Sequence, residues 1–337
     1  MNTKRWIALV AAAVLLFFSL GLNTIMAVFK TDFFSSFESA FDVTESIAYE
    51  TPIEYGDMDN RIALVTVEGT ILDVGSGSLW EEVQYDHQGF MAQLDSILND
   101  DTVKGVVLEV NSPGGGVIES AEIHEKLVQI KEQREIPIYV SMGTYAASGG
   151  YYIAAPAHKI FAQKETITGS IGVIMQAINY EELAEKVGIK FETIKSGQHK
   201  DMLGGSRAST EEEKAMLQEI IDESYEDFVD VIEQGRGMTE AEVKAVADGR
   251  ILGGTQAVRA GLVDDIGKLD DTIAALRADY GLEDAQLFEY TTTNDSLGSL
   301  LGVKVSSLFG PSQEEQLMQK ILSTSNSPRM MYLYGEY

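Results

Sequence analysis

The chain of 337 residues contains no cysteine. A thiol nucleophile, a cysteine-ligated metal, a disulfide scaffold and a lipid-modified N-terminal cysteine are therefore excluded. Histidine is also scarce, and no two histidines form a His-x-x-x-His pair, so the sequence gives no support for a zinc hydrolase. The only histidines are His87, His124, His158 and His199.

Basic residues are few relative to acidic ones. The chain has 25 lysines and arginines against 53 aspartates and glutamates, which gives a formal net charge of −28. Proteins that bind nucleic acids need basic faces for the phosphate backbone, so the composition argues strongly against such a partner. The hydrophobic content of 45% is ordinary for a globular protein, and we expect a packed core.

One long apolar run stands at the N-terminus, over residues 6–29. It exceeds the ~20 residues that a bilayer core requires, which predicts a transmembrane anchor. Lys4 and Arg5 precede it and acidic residues follow, so residues 1–5 are expected in the cytoplasm and the rest of the chain outside the cell membrane. A cleaved secretory signal is the alternative, although no Ala-x-Ala site closes the run.

The remaining chain divides by pattern. Residues 30–60 lack periodicity and suit a stalk, 61–290 are expected to form the folded domain, and 291–337 are interpreted as a C-terminal extension. Strand, loop and helix alternate in the domain, which predicts an α/β fold with mostly parallel strands. The expected strands are 61–67, 106–110, 136–140, 159–162, 190–195 and 285–290, and the expected helices are 88–98, 118–133, 181–187 and 210–233.

Two glycine-rich segments each follow an apolar run of strand character. They are Asn111-Ser-Pro-Gly-Gly-Gly116 and Met142-Gly-Thr-Tyr-Ala-Ala-Ser-Gly-Gly-Tyr151. Glycines at a strand end allow close approach of a backbone, and free N–H groups there can hold an anion. Ser148 stands where a helix would begin, among alanines and glycines that leave its hydroxyl uncovered. An oxyanion site beside such a serine is typical of acyl-transfer enzymes. Ser112 is the second candidate nucleophile.

A serine nucleophile needs a base, and His87, His124 and His158 lie in contexts typical of surface or helix-face residues. His199 lies in a more suggestive loop, but its neighbour is the better candidate. Lys200 offers an alternative, because it lies in a loop of small residues after an expected strand. Only about one lysine in a thousand or fewer is neutral at pH 7, and lowering the pKa by roughly three units costs about 4 kcal/mol, which burial can supply. Serine–lysine pairs are a known variant of the triad. Lys195 is the competing base.

Four motifs occur in order along the domain. They are Asn111-Ser-Pro-Gly-Gly-Gly116, Tyr145-Ala-Ala-Ser-Gly-Gly-Tyr-Tyr152, Thr168-Gly-Ser-Ile-Gly-Val173 and Lys195-Ser-Gly-x-x-Lys200. This series resembles the short signal peptide peptidase A group of the S49 serine proteases, which are related to Clp protease and the crotonases. The resemblance covers most of residues 61–290 and the N-terminal anchor. It implies a spiral of β-β-α units.

The resemblance also implies the site residues. Ser148 would be the nucleophile, Lys200 the general base, and Ser170 the hydroxyl that orients the lysine amine. The backbone N–H groups of Gly114 and Gly149 would form the oxyanion hole. This chemistry calls for no metal or cofactor.

A neutral lysine demands a dry site. In longer relatives the serine and the lysine come from two halves of one chain, so the resemblance implies a homo-oligomer, an octameric ring in which Ser148 meets Lys200 of a neighbour. The expected substrates are signal peptides left in the membrane and other extended peptides. The apolar tail segment 330–334 could dock in the same groove.

Two other functions share parts of this pattern. A crotonase-type acyl-CoA enzyme has the same glycine loop but no use for an anchor or for a serine–lysine pair. A non-catalytic membrane scaffold would keep the anchor without peptidase activity.

Overall fold

We describe residues 49–73, 85–291 and 329–335 of a computed structural model. They form an α/β fold built on a mostly parallel sheet, as the alternating pattern predicts. The strands are β1 (Tyr49–Glu54), β2 (Asp57–Glu68), β3 (Val103–Ser112), β4 (Gly114–Gly116), β5 (Ile138–Ala147), β6 (Lys159–Ala162), β7 (Ile167–Gly169), β8 (Ile251–Gly253), β9 (Asp265–Ile266), β10 (Ala285–Thr291) and β11 (Met331–Leu333). The helices are α1 (His87–Asn99), α2 (Val117–Arg134), α3 (Gly149–Ala154), α4 (Glu181–Lys186), α5 (Glu211–Arg236), α6 (Glu240–Lys244), α7 (Gly254–Arg259) and α8 (Leu269–Tyr280).

The main sheet has the strand order β1-β10-β2-β3-β5-β6-β9, and β7 pairs with β5 on one side and with β8 on the other. Only the pairs β1–β10 and β7–β8 are antiparallel in this sheet. Strands β4 and β11 form a separate antiparallel pair. Because the central strands are parallel, their carboxyl ends meet at one edge, where the glycine-rich segments begin.

Both faces of the sheet are buried, as expected for parallel strands covered by helices. Side chains alternate along β2: Ala63 and Val65 point to one core, and Ile62 and Leu64 to the other. Residues of α1, α2, α3 and α5 cover the first core, and α8 covers the second. The sheet that carries the glycine-rich loops is therefore a rigid support.

Helix α5 begins where its sequence predicts. Thr210 caps it: the Thr210 side chain accepts from the Glu213 N–H (3.2 Å), and the Glu213 carboxylate accepts from the Thr210 N–H (2.9 Å). This reciprocal pair satisfies two backbone donors that would otherwise be unpaired. Gly237, in the left-handed conformation, ends the helix.

The structure differs from three sequence expectations. The strand predicted at 190–195 is wrong: this segment is irregular and exposed, and among the described residues no strand pairs with it. The predicted stalk contains β1 and the start of β2, so from Tyr49 onward it belongs to the sheet. The extension 291–337 contributes β11.

The predicted membrane span, residues 6–29, lies outside the described residues. Within the part of the chain that the structure describes, no helix has the length and apolar character needed to cross a bilayer.

Candidate active site

Ser148 lies at a sharp turn between β5 and α3. Its backbone has φ 54° and ψ −116°, a conformation that residues other than glycine rarely adopt. A hydrogen bond stabilises this turn: the Ser148 N–H donates to the Gly169 carbonyl on β7 (2.8 Å). Such strain persists only where the surroundings enforce it, and a strained strand-to-helix turn is a common support for a nucleophile.

The Ser148 hydroxyl is buried and unpaired. The residue is 1% exposed, and its Oγ has no hydrogen-bond partner among the described residues. An unsatisfied buried hydroxyl costs about 1–3 kcal/mol, so its retention suggests a function other than stability. None of the histidines contacts this oxygen.

Ser170 lies beside Ser148. It follows β7, which pairs in parallel with the end of β5, so both serines stand at the same edge of the sheet. Ser170 also has a positive φ (50°), and its N–H donates to the Arg250 carbonyl (2.8 Å). Two of the four non-glycine residues with positive φ in the described chain are therefore the two predicted site serines.

Strand β4 brings its glycines against α3. A Cβ placed on Gly114 would lie 2.7 Å from the Gly149 nitrogen, so the two predicted oxyanion residues are neighbours. The Gly114 N–H, however, donates to the Ser112 Oγ (3.0 Å). The predicted donor is thus already engaged, and Ser112, fully buried, serves as its acceptor. The oxyanion role of the Gly114 N–H therefore stays a prediction.

Gly115 presents its backbone differently. Its neighbours Gly114 and Gly116 bond to Ile71 through their C=O and N–H respectively, so the polar groups of Gly115 face the other way, toward β11. In the β4–β11 pair Gly115 stands opposite Tyr332. The flanking bonds, Tyr334 N–H to the Pro113 carbonyl and Val117 N–H to the Met330 carbonyl, place Gly115 and Tyr332 in hydrogen-bonded register.

The Tyr332 carbonyl oxygen lies at the meeting point of the glycines. It would be 2.0 Å from a Cβ on Gly114 and 3.1 Å from a Cβ on Gly149. Any side chain on Gly114 would therefore collide with a peptide in the β11 position. The same Gly149 Cβ would meet the buried Ser120 Oγ at 2.6 Å, which explains why this position also lacks a side chain.

The Tyr332 side chain fills an aromatic slot. It stacks on Tyr152 (4.9 Å between ring centroids) and packs on Phe228 (4.7 Å), and its hydroxyl donates to the Ser224 carbonyl (2.9 Å). Burial raises the pKa of the Tyr332 hydroxyl well above its ordinary value, so this group remains a donor.

Lys200 is exposed and lies in an irregular segment. Because the Ser148 Oγ has no partner, Lys200 Nζ does not bond to it within one chain. The rival base, Lys195, is occupied: its Nζ donates to Asp201 Oδ1 (2.6 Å) and to the Gln198 carbonyl (2.8 Å).

The histidines have other surroundings. His87 lies between the Tyr85 hydroxyl and Glu122, and His158 Nδ1 accepts from the Ile138 N–H. His124 packs edge-on against Tyr152, and burial lowers the His124 pKa to about 4. None of these three rings is hydrogen-bonded to the Ser148 Oγ.

The stretch of chain that contains this site is similar to known proteins. The profile of peptidase family S49 matches residues 130–283, a stretch that contains Ser148, Ser170 and Lys200. A protein of Enterococcus faecium described as "Putative signal peptide peptidase SppA" is 42% identical over 346 residues, which cover 99% of each chain. The chain belongs to peptidase family S49. It is a serine peptidase.

Two further relatives match this chain over part of their own length. "Protease 4" of Haemophilus influenzae is 31% identical over 84% of this chain and 48% of its own. "Serine protease SPPA, chloroplastic" of Arabidopsis thaliana is 29% identical over 72% of this chain and 35% of its own. Membership in a peptidase family disfavours the acyl-CoA and scaffold alternatives.

Sequence reasoning missed several residues around this S49 site. Gly115 was not singled out, because three consecutive glycines give no sign of which one turns its polar groups toward β11. Tyr332 and its slot depend on a pairing between distant segments. Ser120 lies on α2, and nothing in a helical serine distinguishes it beforehand.

Proposed function

We propose that the protein is a membrane-anchored serine endopeptidase with a Ser148–Lys200 dyad, which degrades remnant signal peptides and other unstructured peptides. The observation that carries this proposal is that Ser148 lies on a strained turn beside two glycine backbones. Its hydroxyl there is buried and has no partner among the described residues. The name of the E. faecium relative supports signal peptides as the substrate class.

In the proposed reaction, neutral Lys200 accepts the Ser148 proton as Oγ attacks the peptide carbonyl. The resulting lysine ammonium then protonates the leaving amine, and water hydrolyses the acyl-enzyme by the same route. Ser170, held at the same sheet edge, would orient the amine. The fold around the site would be the spiral of β-β-α units of Clp protease and the crotonases.

The proposed oxyanion hole consists of the N–H groups of Gly149 and Gly115, and the Gly115 N–H becomes available to a substrate when the Tyr332 carbonyl that it faces in the β4–β11 pair is displaced. Gly149 opens α3 directly after the nucleophile, and the polar groups of Gly115 face the same space. Preorganised donors of this kind contribute roughly 3–4 kcal/mol each to catalysis. Gly114 would instead fix the loop through Ser112.

We propose that the dyad is completed between protomers of a ring, an octamer by family resemblance. Two observations support this: the Ser148 hydroxyl has no hydrogen-bond partner among the described residues of its own chain, and Lys200 follows a run of exposed apolar side chains. The members of this run more than 45% exposed are Ile178, Leu183, Val187, Ile189, Phe191 and Ile194. A monomer gains nothing by exposing such a patch.

The anchor is proposed over residues 6–29, with the peptidase domain on the outer face of the cell membrane. This placement would bring the site close to membrane-bound signal peptides and raise their local concentration. We further propose that the tail docks as an extended peptide would, since β11 pairs with β4 beside Ser148.

The test combines active-site labelling with complementation. A fluorophosphonate probe should label the wild type and should label neither Ser148→Ala nor, at a comparable rate, Lys200→Ala. Mixing the two inactive variants after dissociation should restore peptide hydrolysis, because some interfaces then hold an intact Ser148 and an intact Lys200.

Unrestored activity in mixed rings of normal size would exclude a dyad built between chains. Normal labelling of Lys200→Ala would exclude Lys200 as the base. Labelling of Ser148→Ala would exclude the nucleophile and with it the proposed mechanism.

A further inference from the structure

The segment that carries Lys200 is not held by secondary structure. Residues 190–205 contain only short turns, such as the Lys200 N–H to the Gly197 carbonyl (3.2 Å) and the Met202 N–H to the His199 carbonyl (3.2 Å). A general base must be placed to within a fraction of an ångström, since misplacement by 1 Å can cost roughly 100-fold in rate. Something else must fix this loop.

Arg207 ties the loop to helix α5. Its Nη2 donates to Asp201 Oδ1 (2.5 Å) and to Glu213 Oε1 (2.6 Å), and its Nη1 donates to Glu213 Oε2 (2.8 Å). Asp201 directly follows Lys200 in the chain. We call Asp201, Arg207 and Glu213 the Arg207 clamp.

The far end of the clamp is rigid. Glu213 is 1% exposed, and the same carboxylate accepts from the Thr210 N–H in the capping box of α5. His199 Nδ1 also lies 3.3 Å from Glu213 Oε1. The residues on both sides of Lys200 are thus fastened to the first turn of α5, while no described residue pairs with the Lys200 side-chain amine.

The clamp also neutralises the charge beside Lys200. Hydrogen bonds from Arg207 and Lys195 hold the pKa of Asp201 well below its usual range, so it is an anion with two cationic partners. Arg207 likewise lowers the pKa of Glu213 to about 2. An unpaired carboxylate next to Lys200 would favour the charged ammonium, which cannot accept a proton. Among the described residues, Lys195 and His199 also bond to the clamp, and Glu181 accepts from the Ala208 N–H beside it. The segment 190–205 also carries Lys190 and Glu192.

We propose that Arg207 is a positioning residue for the peptidase reaction: it fixes the Lys200 loop on α5 and keeps Asp201 from pairing with the Lys200 amine. This inference rests on Lys200 being the base in the proposed function.

The test compares pH–rate profiles of intact assemblies. Arg207→Gln should lower kcat by about 10-fold to 100-fold. It should also move the acidic limb of kcat/KM upward by up to about one pH unit, because Asp201 keeps only its Lys195 partner and can then stabilise the lysine ammonium. Adding Asp201→Asn to Arg207→Gln should return the limb to its original position. Arg207→Lys keeps the charge but not the two-armed contact, so kcat should fall while the limb stays in place.

Arg61→Gln is the matched control. Arg61 also bridges two carboxylates, Glu50 and Asp100, but it belongs to strand β2. Its loss should leave the acidic limb unchanged.

If Arg207→Gln assembles, its acidic limb of kcat/KM does not move, and Lys200→Ala is inactive, then the positioning role of Arg207 is wrong and the proposed function still holds. An active Lys200→Ala would overturn both. If Arg207→Gln fails to assemble, a limb shifted in Arg207→Lys would equally contradict the proposal.

Discussion

At the scale of single residues, backbone conformations and close backbone contacts of Ser148 and its neighbouring glycines shape this site. The serine adopts a positive φ, and its hydroxyl is buried without a partner among the described residues. Gly114 has φ +101° and lies against the Tyr332 carbonyl. The positive φ of Ser148 and its unpaired hydroxyl each lower the stability of the fold, on the order of 1–3 kcal/mol. Their presence at one point agrees with a site selected for chemistry.

We predict that Gly114→Ala inactivates the peptidase. The new Cβ would lie 2.0 Å from the position of the Tyr332 carbonyl oxygen, which excludes an extended peptide, and the φ of +101° disfavours any side chain. Hydrolysis of an unstructured peptide should fall by at least about 100-fold. Gly281→Ala is the control: Gly281 also has a positive φ (66°) but nothing lies within 4 Å of its Cβ. That variant should lose about 1 kcal/mol of stability and keep its activity.

At the scale of elements, the aromatic contacts between α2, α3, α5 and β11 connect the site to the core. His124 of α2 meets Tyr152 of α3 at 5.3 Å, and Tyr152 stacks on Tyr332 of β11. Burial makes the charged form of His124 unfavourable, which lowers its pKa to about 4. Protonation of this one ring therefore opposes the packing of several elements.

We predict a loss of stability in mild acid that depends on His124. Its pKa of about 4 in the folded chain is below the ordinary histidine value of 6.5, so the unfolded chain takes up the proton first and the free energy of unfolding falls as pH drops from 6.5 to 4. The contribution is at most about 3 kcal/mol. Urea titrations at pH 7.5 and 4.5 should show a smaller difference for His124→Gln than for the wild type.

Part of that difference should remain in His124→Gln, because burial also lowers the pKa of His158. An unchanged pH dependence in the variant would show that His124 is not the group responsible.

Elements defined by local signals were predictable from the sequence, and those defined by distant partners were not. The start of α5 near Thr210 and the apolar run of β3 are local, and both predictions are confirmed. The strand predicted at 190–195 fails because alternation alone does not supply a neighbouring strand. Strands β1 and β11 were missed for the converse reason: each is short and is formed by its pairing with a distant segment.

The candidate site follows the same division. Ser148 was identified from its glycine-rich context, and its strained turn agrees with that assignment. The choice between Gly114 and Gly115 depends on a register of one residue, which a run of identical glycines does not encode. The role of Lys200 as base stays a prediction, since its proposed partner lies in another chain.

At the scale of the whole molecule, the exposed apolar run between Ile178 and Ile194 contrasts with a surface that is otherwise strongly acidic. Like charges of −28 per chain disfavour association, so any assembly requires apolar contacts sufficient to overcome this repulsion. A run of this kind next to Lys200 is well placed to supply them.

We predict that Ile194→Asp prevents assembly and abolishes activity without unfolding the chain. Ile194 is 96% exposed, so the substitution costs the monomer little, whereas a buried carboxylate would disrupt an interface. Light scattering should show a smaller species with an unchanged circular dichroism spectrum. Met58→Asp, at another exposed apolar residue (66%), should assemble and cleave normally. A full-sized, active Ile194→Asp ring would place the interface elsewhere.

The pairing of β11 with β4 also bears on solubility. A strand of three glycines has no side chains with which to shield its edge, and charged or bulky residues are the usual protection against edge-to-edge aggregation. Here the tail supplies that cover, and its tyrosine closes the slot between Tyr152 and Phe228. If the tail dissociates from β4, the chain exposes an unpaired strand edge together with an unfilled aromatic slot, and both can bind unfolded polypeptide segments.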